Sequence, residues 1–235
     1  MTILCIETST SVCSAAVCKD GKPVKQCIAH EGSNHARLLP RYVQELLLFA
    51  RQQQLTIDAV ALSEGPGSYT GLRIGTSTAK GLCYGLNVPL IPVPTLAVIC
   101  AAAEASVTGG ILCPMIDARR MEVYTALYDA KRHPLSDVQA VVVENEESLT
   151  AASRQAVTDS PVYYFGDGAA KCQAVITNPE WHYIPKIVPE AQFMGVLAEP
   201  LQAEGKGLEA NEVAYYEPFY LKEFVAAQSH VKGLK

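Results

Sequence analysis

Charge is scarce in this 235-residue chain: charged residues make up 18% of it, against about one quarter in an average soluble protein, while hydrophobic residues reach 49%. A surface so short of charge has apolar ground to share with another chain. Basic residues are the minority, 19 Lys and Arg against 24 Asp and Glu, for a net charge of -5. That balance excludes a broad basic face that would hold nucleic acid by counterion release alone; if RNA is the substrate, something else must grip it. Long apolar runs are missing too. The longest, around 88–103, is broken by Pro89, Pro92 and Pro94, so it cannot supply the roughly 20 uninterrupted residues of a membrane helix.

Site chemistry is equally sparse. The eight cysteines include no Cys-x-x-Cys pair and the opening residues carry no secretory signal pattern, which leads us to expect buried thiols in a soluble, cytoplasmic protein. His30 and His35 are not at the spacing that sets two imidazoles on one helix face, and His133, His182 and His230 stand alone, so neither a metal nor a cofactor is expected. A metallopeptidase has no ligand set to stand on. Ser68 lies in no Gly-x-Ser-x-Gly elbow, because Tyr69 and Thr70 follow it, and no catalytic residue is assigned.

What is present is a periodic α/β pattern. Three short β-branched or apolar runs, 2–7, 12–18 and 24–29, are separated by turns and read as a meander. From Ser33, an available cap, the period lengthens: Leu39, Tyr42, Val43, Leu46, Leu47 and Ala50 predict a helix over 33–53, with Pro40 tolerable only near its start or at a kink. A strand at 58–63, a helix from about 70 to 86, a strand at 88–93 and a helix through Ala103 follow, and Gly109-Gly110 mark a break. The pattern then restarts. Residues 5–20 lie over 115–129 with Glu7 on Asp117, strands recur near 140–143 and 162–166, and a helix is expected over 146–157 between them. Two homologous halves with a cleft between them are the economical reading: a lobe over 1–108, a second over 109–204, and a linker and tail over 205–235 that packs back on the body.

The sharpest motif is DAVALSEGPGSYTGLRIG at 58–75, a strand that enters a glycine-rich turn and opens a helix. N–H groups at such a helix start can hold an anion, with Arg73 as a counter-charge, or the motif can be a plain tight turn. It is neither Gly-x-x-x-x-Gly-Lys-Ser/Thr nor Gly-x-Gly-x-x-Gly. Gly71 and Gly75, then Gly81 and Gly85, recur four apart, which lets a neighbour approach closely: either the chain's own first helix or one from a second chain.

The runs ILCIETST at 3–10, SNHARLLP at 33–40, GPGSYTGLRIG at 65–75, PLIPVPTLA at 89–97, FGDGA at 165–169 and PFYLK at 218–222 resemble the TsaB (YeaZ) family, in order and over essentially the whole length. The resemblance implies a duplicated actin-like (ASKHA, ribonuclease H-like) α/β fold of two lobes with mixed sheets. It implies a non-catalytic role in forming threonylcarbamoyladenosine in tRNA next to the anticodon, beside the catalytic paralogue TsaD and the ATPase TsaE, with tRNA met only through the complex. TsaD-type chains carry a His-x-x-x-His metal pair just after the strand matching 88–93; here those positions are Thr95 and Ile99.

By the same resemblance, helices 33–53 and 70–86 would grip TsaD, or a second copy when TsaD is absent. The contact residues expected are His35, Leu39, Tyr42, Val43, Leu46, Gly71, Leu72, Gly75, Ala79 and Leu82. A bulky residue at Gly75 is then expected to abolish pairing and leave the chain folded. The turns Glu7-Thr8-Ser9 and Asp117-Ala118-Arg119 stand where actin-like kinases carry an acid and a glycine for nucleotide, but neither has the glycine, and Asp167 between a strand and a helix suits a nucleotide or a plain turn, so a vestigial site is expected at Thr8, Ser9, Asp117 and Asp167. A small-molecule kinase or ATPase of the same superfold is the alternative. Lys222 stands where the family often has arginine, which weakens any bidentate contact there.

Overall fold

The computed structural model describes residues 1–30, 34–151 and 160–222. Strands β1 (Thr2–Glu7), β2 (Cys13–Lys19) and β3 (Lys22–Ala29) form the antiparallel meander, and β4 (Ala59–Gly65) and β5 (Leu90–Pro94) extend it in parallel, in the order β3-β2-β1-β4-β5. Central β1 is buried along its whole length because both faces of the sheet are covered. Alternation sorts the two faces. Leu4, Ile6, Ala15, Val60 and Leu62 pack under Leu39 and Leu46 of α1 (His35–Gln52) and Ala79 and Cys83 of α2 (Tyr69–Leu86). Ile3, Cys5, Ala16, Ala61 and Ile91 point the other way, onto Val98 of α3 (Thr95–Ala103) and onto Met194 and Ala198. Strand β3 holds Lys22, Pro23 and Lys25, residues suited to an exposed edge.

The second half repeats this plan. Strands β6 (Ile111–Asp117), β7 (Glu122–Thr125) and β8 (Gln139–Val142) make the meander, and β9 (Val162–Phe165) and β10 (Trp181–Ile184) add in parallel, in the order β8-β7-β6-β9-β10. Helix α4 (Glu146–Thr150) joins β8 to β9 as α1 joins β3 to β4. The molecule is a duplicated, two-lobed α/β structure of the actin-like type.

The lobes share walls. Leu96, Ile99 and Cys100 of α3 pack on Leu112, Ile116 and Phe165 of the second sheet, although α3 follows the first. Conversely α5 (Gly195–Ala203) places Ala198 on the first sheet, although it follows the second. A boundary at residue 204 therefore cuts the chain in the wrong place for packing. Nor is 205–212 a free linker: Leu208 and Leu90 exchange both backbone hydrogen bonds, at 2.7 and 3.0 Å, which covers the β5 edge. Helix α6 (Ala210–Val213) then buries Val213 in the first core, and Phe219 N–H donates to Glu64 O at 2.7 Å.

Ser33, residues 152–157 of the expected fourth helix, and the tail beyond Lys222 lie outside the described residues. Pro40 sits within α1, past its first turn; it and Ala36 are both exposed, so the carbonyl left without its donor faces water. All eight cysteines are buried and unpaired. Among the described residues no helix is long and apolar enough to cross a membrane.

The glycines of α2 divide by function. A Cβ at Gly71 would overlap the Thr8 carbonyl oxygen, and one at Gly75 would overlap Thr8 Oγ1 and lie 3.0 Å from Leu62 Cδ1. Their close neighbour is the β1–β2 turn, neither α1 nor another chain. Gly81 and Gly85 face open space. Gly75→Leu is therefore expected to unfold or severely destabilise the chain, not to leave it folded, with an overpacking cost of about 3 kcal/mol or more. Gly81→Ala should raise stability by up to about 1 kcal/mol. Urea unfolding of the two variants checks both signs.

Candidate functional site

The turns after β1 and β6 occupy matching places in the two lobes, and the chain treats them in opposite ways. In the first lobe the turn after β1 is sealed. Thr8 and Ser9 are fully buried. Thr8 Oγ1–H donates to Gly71 O at 2.8 Å, and Ser68 N–H donates to Ser9 O at 2.6 Å. The seal needs glycine: a Cβ on Gly67 would lie 2.8 Å from Ser9 Cβ. Gly65, at φ +117, turns the chain from β4 into this loop, and its N–H donates to Thr95 Oγ1 at 3.2 Å. Helix α2 thus begins directly on the turn, capped by Ser68 Oγ, which accepts from Gly71 N–H at 3.3 Å.

Glu7 is the charged group beneath this seal. Its side chain is fully buried, and Oε1 accepts from both Ser9 N–H and Ser9 Oγ–H at 2.6 Å. Oε2 has no hydrogen-bond partner among the described residues, nor does the hydroxyl of Ser63 on the next strand. Burial outweighs the serine bonds and raises the Glu7 pKa above its ordinary value.

In the second lobe the matching turn is open. Asp117 and Asp167, both exposed, are joined by a 3.0 Å hydrogen bond from Asp117 N–H to Asp167 Oδ1. Lys171 pairs with the Asp117 carboxylate and donates to Glu122 O at 2.7 Å. Lys222 from the tail donates to both Glu122 carboxylate oxygens at 2.5 Å, so the lysine makes the two-oxygen contact that its substitution for arginine put in question. Arg119 and Arg120 at the tip adopt left-handed φ of 72 and 50. In place of a helix as long as α2, residues 170–174 form a short 3-10 turn.

The four residues expected to mark a vestigial nucleotide site therefore do not act together. Thr8 and Ser9 are closed off by α2, whereas Asp117 and Asp167 bond to each other at the surface. Arg73, expected as a counter-charge to an anion, stacks on the Tyr69 ring at 4.4 Å, and Tyr69 in turn packs against Tyr220 at 4.9 Å.

The expected partner contacts need a larger correction. His35, Leu39, Val43, Leu46, Gly71, Leu72, Gly75 and Ala79 are buried in the chain's own first lobe; only Tyr42 and Leu82 are half-buried. His35 is pinned by a 3.2 Å contact from Nε2 to Val12 O. The apolar stripe marks the intramolecular face of α1 and α2. Their outer faces instead expose Leu48 and Tyr84, the latter at 89%, with Gly81 and Gly85 beside it.

Thr95 and Ile99, at the positions matched to a metal pair, are fully buried. Isoleucine has no donor atom, and Thr95 Oγ1 is taken by Gly65 N–H, so these residues do not fit a metal. Among the described residues no group of three or more His, Cys, Asp and Glu could hold one.

Sequence reading missed a cavity of about 280 Å³ between the lobes, lined by Glu64, Pro66 and Phe219 on one side and Tyr128, Ser136 and Asp137 on the other. Its only signal in the sequence was an acid directly before the glycine loop.

Comparison with known proteins adds three findings. Residues 29–227 match the family model described as TsaD, tRNA N6-adenosine threonylcarbamoyltransferase. The chain is 30% identical to the Bacillus subtilis tRNA threonylcarbamoyladenosine biosynthesis protein TsaB over the full length of both. It is 31% identical to the Escherichia coli TsaB over 96% of each chain, and 34% identical to that of Haemophilus influenzae over 96% of this chain and 95% of the relative. Among solved structures, YeaZ from Pseudomonas aeruginosa superposes with a TM-score of 0.75 at 26% identity, covering 94% of this chain and 99% of that one.

Burial of Glu7 has a measurable signature. Its folded pKa is raised, so its contribution to stability is fully present below the ordinary value of 4.5 and is lost as pH rises through the raised value. Glu7→Gln, which keeps an acceptor for Ser9, is expected to flatten that decline. Urea midpoints measured from pH 4 to pH 8 check it; an unchanged slope in the variant would assign the decline to other acids.

Proposed function

Because the chain belongs to the TsaD family, and within it to the TsaB proteins of tRNA threonylcarbamoyladenosine biosynthesis, we propose that it acts as the non-catalytic partner subunit of a cytoplasmic TsaD-type transferase. The product is threonylcarbamoyladenosine next to the anticodon. A TsaE-type ATPase joins the complex, and this chain pairs with itself when the transferase is absent. It meets tRNA only within the assembly.

The observation that carries this reading is the sealed first turn. A kinase of this superfold needs that turn open to phosphate, and here α2 is bonded onto it through Thr8, Gly71 and Ser68. Among the described residues, the cavity beside it is lined by two carboxylates and by no lysine, arginine or histidine, a poor setting for a polyphosphate. A metal centre to position an activated threonylcarbamoyl group is unsupported by Thr95 and Ile99. A chain with neither feature fits the role of a partner.

The outer face of α1 and α2 is the partner surface in this reading. Tyr84, Leu48 and half-buried Leu82 supply apolar area, and Gly81 and Gly85 leave room for a facing helix to approach. Gly81→Leu should leave the chain folded, because nothing lies within 4 Å of that position, and should weaken pairing with the transferase by at least about tenfold. Unchanged affinity in a binding titration would move the interface elsewhere.

Function is tested by incorporation of labelled threonine into tRNA, with the matching transferase, ATPase and adenylate-forming enzyme present and this chain included or omitted. Incorporation should require this chain, and this chain in place of the transferase should give none. Incorporation that is indifferent to its omission would refute the partner role.

A further inference from the structure

After α6 the chain crosses from the first lobe to the second, and the two ends of that crossing are held very differently. At the inner end Val213 is buried in the first core, and Tyr216 packs against the same cluster with its hydroxyl buried. Beyond Tyr216 the path through Lys222 forms neither helix nor strand. Among the described residues a single backbone hydrogen bond ties 217–222 to the body, the one from Phe219 N–H to Glu64 O at 2.7 Å.

Side chains mark the rest of the route. Phe219 crosses the glycine loop so closely that a Cβ on Gly65 would overlap its carbonyl oxygen, and, 43% exposed itself, it lines one side of the interlobe cavity. Tyr220 packs on Tyr69 at 4.9 Å and shares a hydrogen bond with Arg73 that raises the arginine's pKa. At the outer end Lys222 reaches β7 of the second lobe and donates to both carboxylate oxygens of Glu122 at 2.5 Å. Among the described residues this is the one ion pair between the tail and the second lobe. Its lysine is 46% exposed, so salt screens the pair and holds it to a small contribution.

The body does not need this crossing in order to stay folded. The lobes are joined through α3 and α5, and no residue from 217 to 222 is buried. A segment with one backbone bond, one exposed ion pair and no buried side chain belongs to the low-stability end of a structure, where local opening precedes global unfolding.

We propose that residues 217–222 are a strap that unfastens as a unit from the folded body, turning on Tyr216 and latched shut by Lys222 on Glu122. Fastened, the strap bridges the lobes and walls one side of the cavity with Phe219. Unfastened, it frees the Glu64 carbonyl at the end of β4 and opens the cavity on that side. The proposal stands on the tail's own contacts and does not depend on the partner role.

Amide hydrogen exchange of the intact chain, followed by NMR over a series of low urea concentrations, tests it through Phe219, with Val60 of β4 as the core reference. After correction for intrinsic rates, Phe219 is expected to exchange at least about 100-fold faster than Val60 and with little dependence on urea, because opening the strap exposes little surface. Lys222→Met, which keeps the apolar stem and removes the charge, should speed Phe219 exchange at least about threefold and leave Val60 unchanged. Glu122→Gln should match it, and the two changes together should add nothing further. Salt at about 1 M should speed Phe219 in the unaltered chain but not in Lys222→Met. A urea dependence of Phe219 equal to that of Val60 would mean that the tail leaves only when the molecule unfolds, and an unchanged Phe219 rate in Lys222→Met would mean that Glu122 is no latch. Either result overturns the proposal.

Discussion

The arrangement depends on one contact, the descent of the α2 backbone onto the turn after β1. The hydrogen bond from Thr8 Oγ1 to Gly71 O is short and buried, and it exists only because Gly67, Gly71 and Gly75 present no Cβ to the turn. Glycine inside a helix costs about 1 kcal/mol of intrinsic stability per residue. Here that cost is offset by direct backbone packing against the most buried strand of the first sheet. The same contact fixes where Gly65 must turn, and so where Thr95 must present its hydroxyl and where Glu64 is left facing the cleft.

Duplication sharpens the point, because the second lobe shows the same topology without the seal. Strands β6 to β10 repeat β1 to β5 in order and direction. Yet the segment equivalent to α2 has shrunk to the turn at 170–174, and Asp117 remains at the surface with Lys171. One topology thus carries a closed turn and an open one: Gly166 and Gly168 approach β6 closely, but the second lobe lacks a long helix with glycines matching Gly71 and Gly75 to descend on the turn.

Much of the scaffold was legible in the residues. Alternation and turn chemistry placed the strands and long helices of the first lobe to within one or two residues, because each is long and bounded by glycine, proline or a cap. The misses have local causes. Strand β10, with the sequence WHYI, is too short to show a period, and α5 opens on Gly195 and holds Pro200, both poor helix signals. Leu208 sits in a polar stretch that resembled a linker, and only its pairing with Leu90 reveals a sheet-edge cover. The candidate site was harder to read. Apolar periodicity reports that a helix face is buried but not by what, so Leu39, Val43, Leu46 and Leu72 resembled a partner surface while serving the chain's own core. The interlobe cavity depends on Tyr128, Ser136 and Asp137 meeting Glu64 across more than 60 residues of chain, a juxtaposition no local pattern encodes.

The exchange of α3 and α5 between the lobes makes each lobe incomplete on its own. Each half ends in a helix whose apolar face fits the other half's sheet: Leu96, Ile99 and Cys100 on the second, Ala198 on the first. Either lobe alone would leave part of a sheet face and part of a helix face uncovered, because Val98 of α3 serves the first sheet while Leu96, Ile99 and Cys100 serve the second. The two lobes thus depend on each other as the subunits of an obligate dimer do. Within one chain the two sides need not match, which is what lets one turn be closed and the other open.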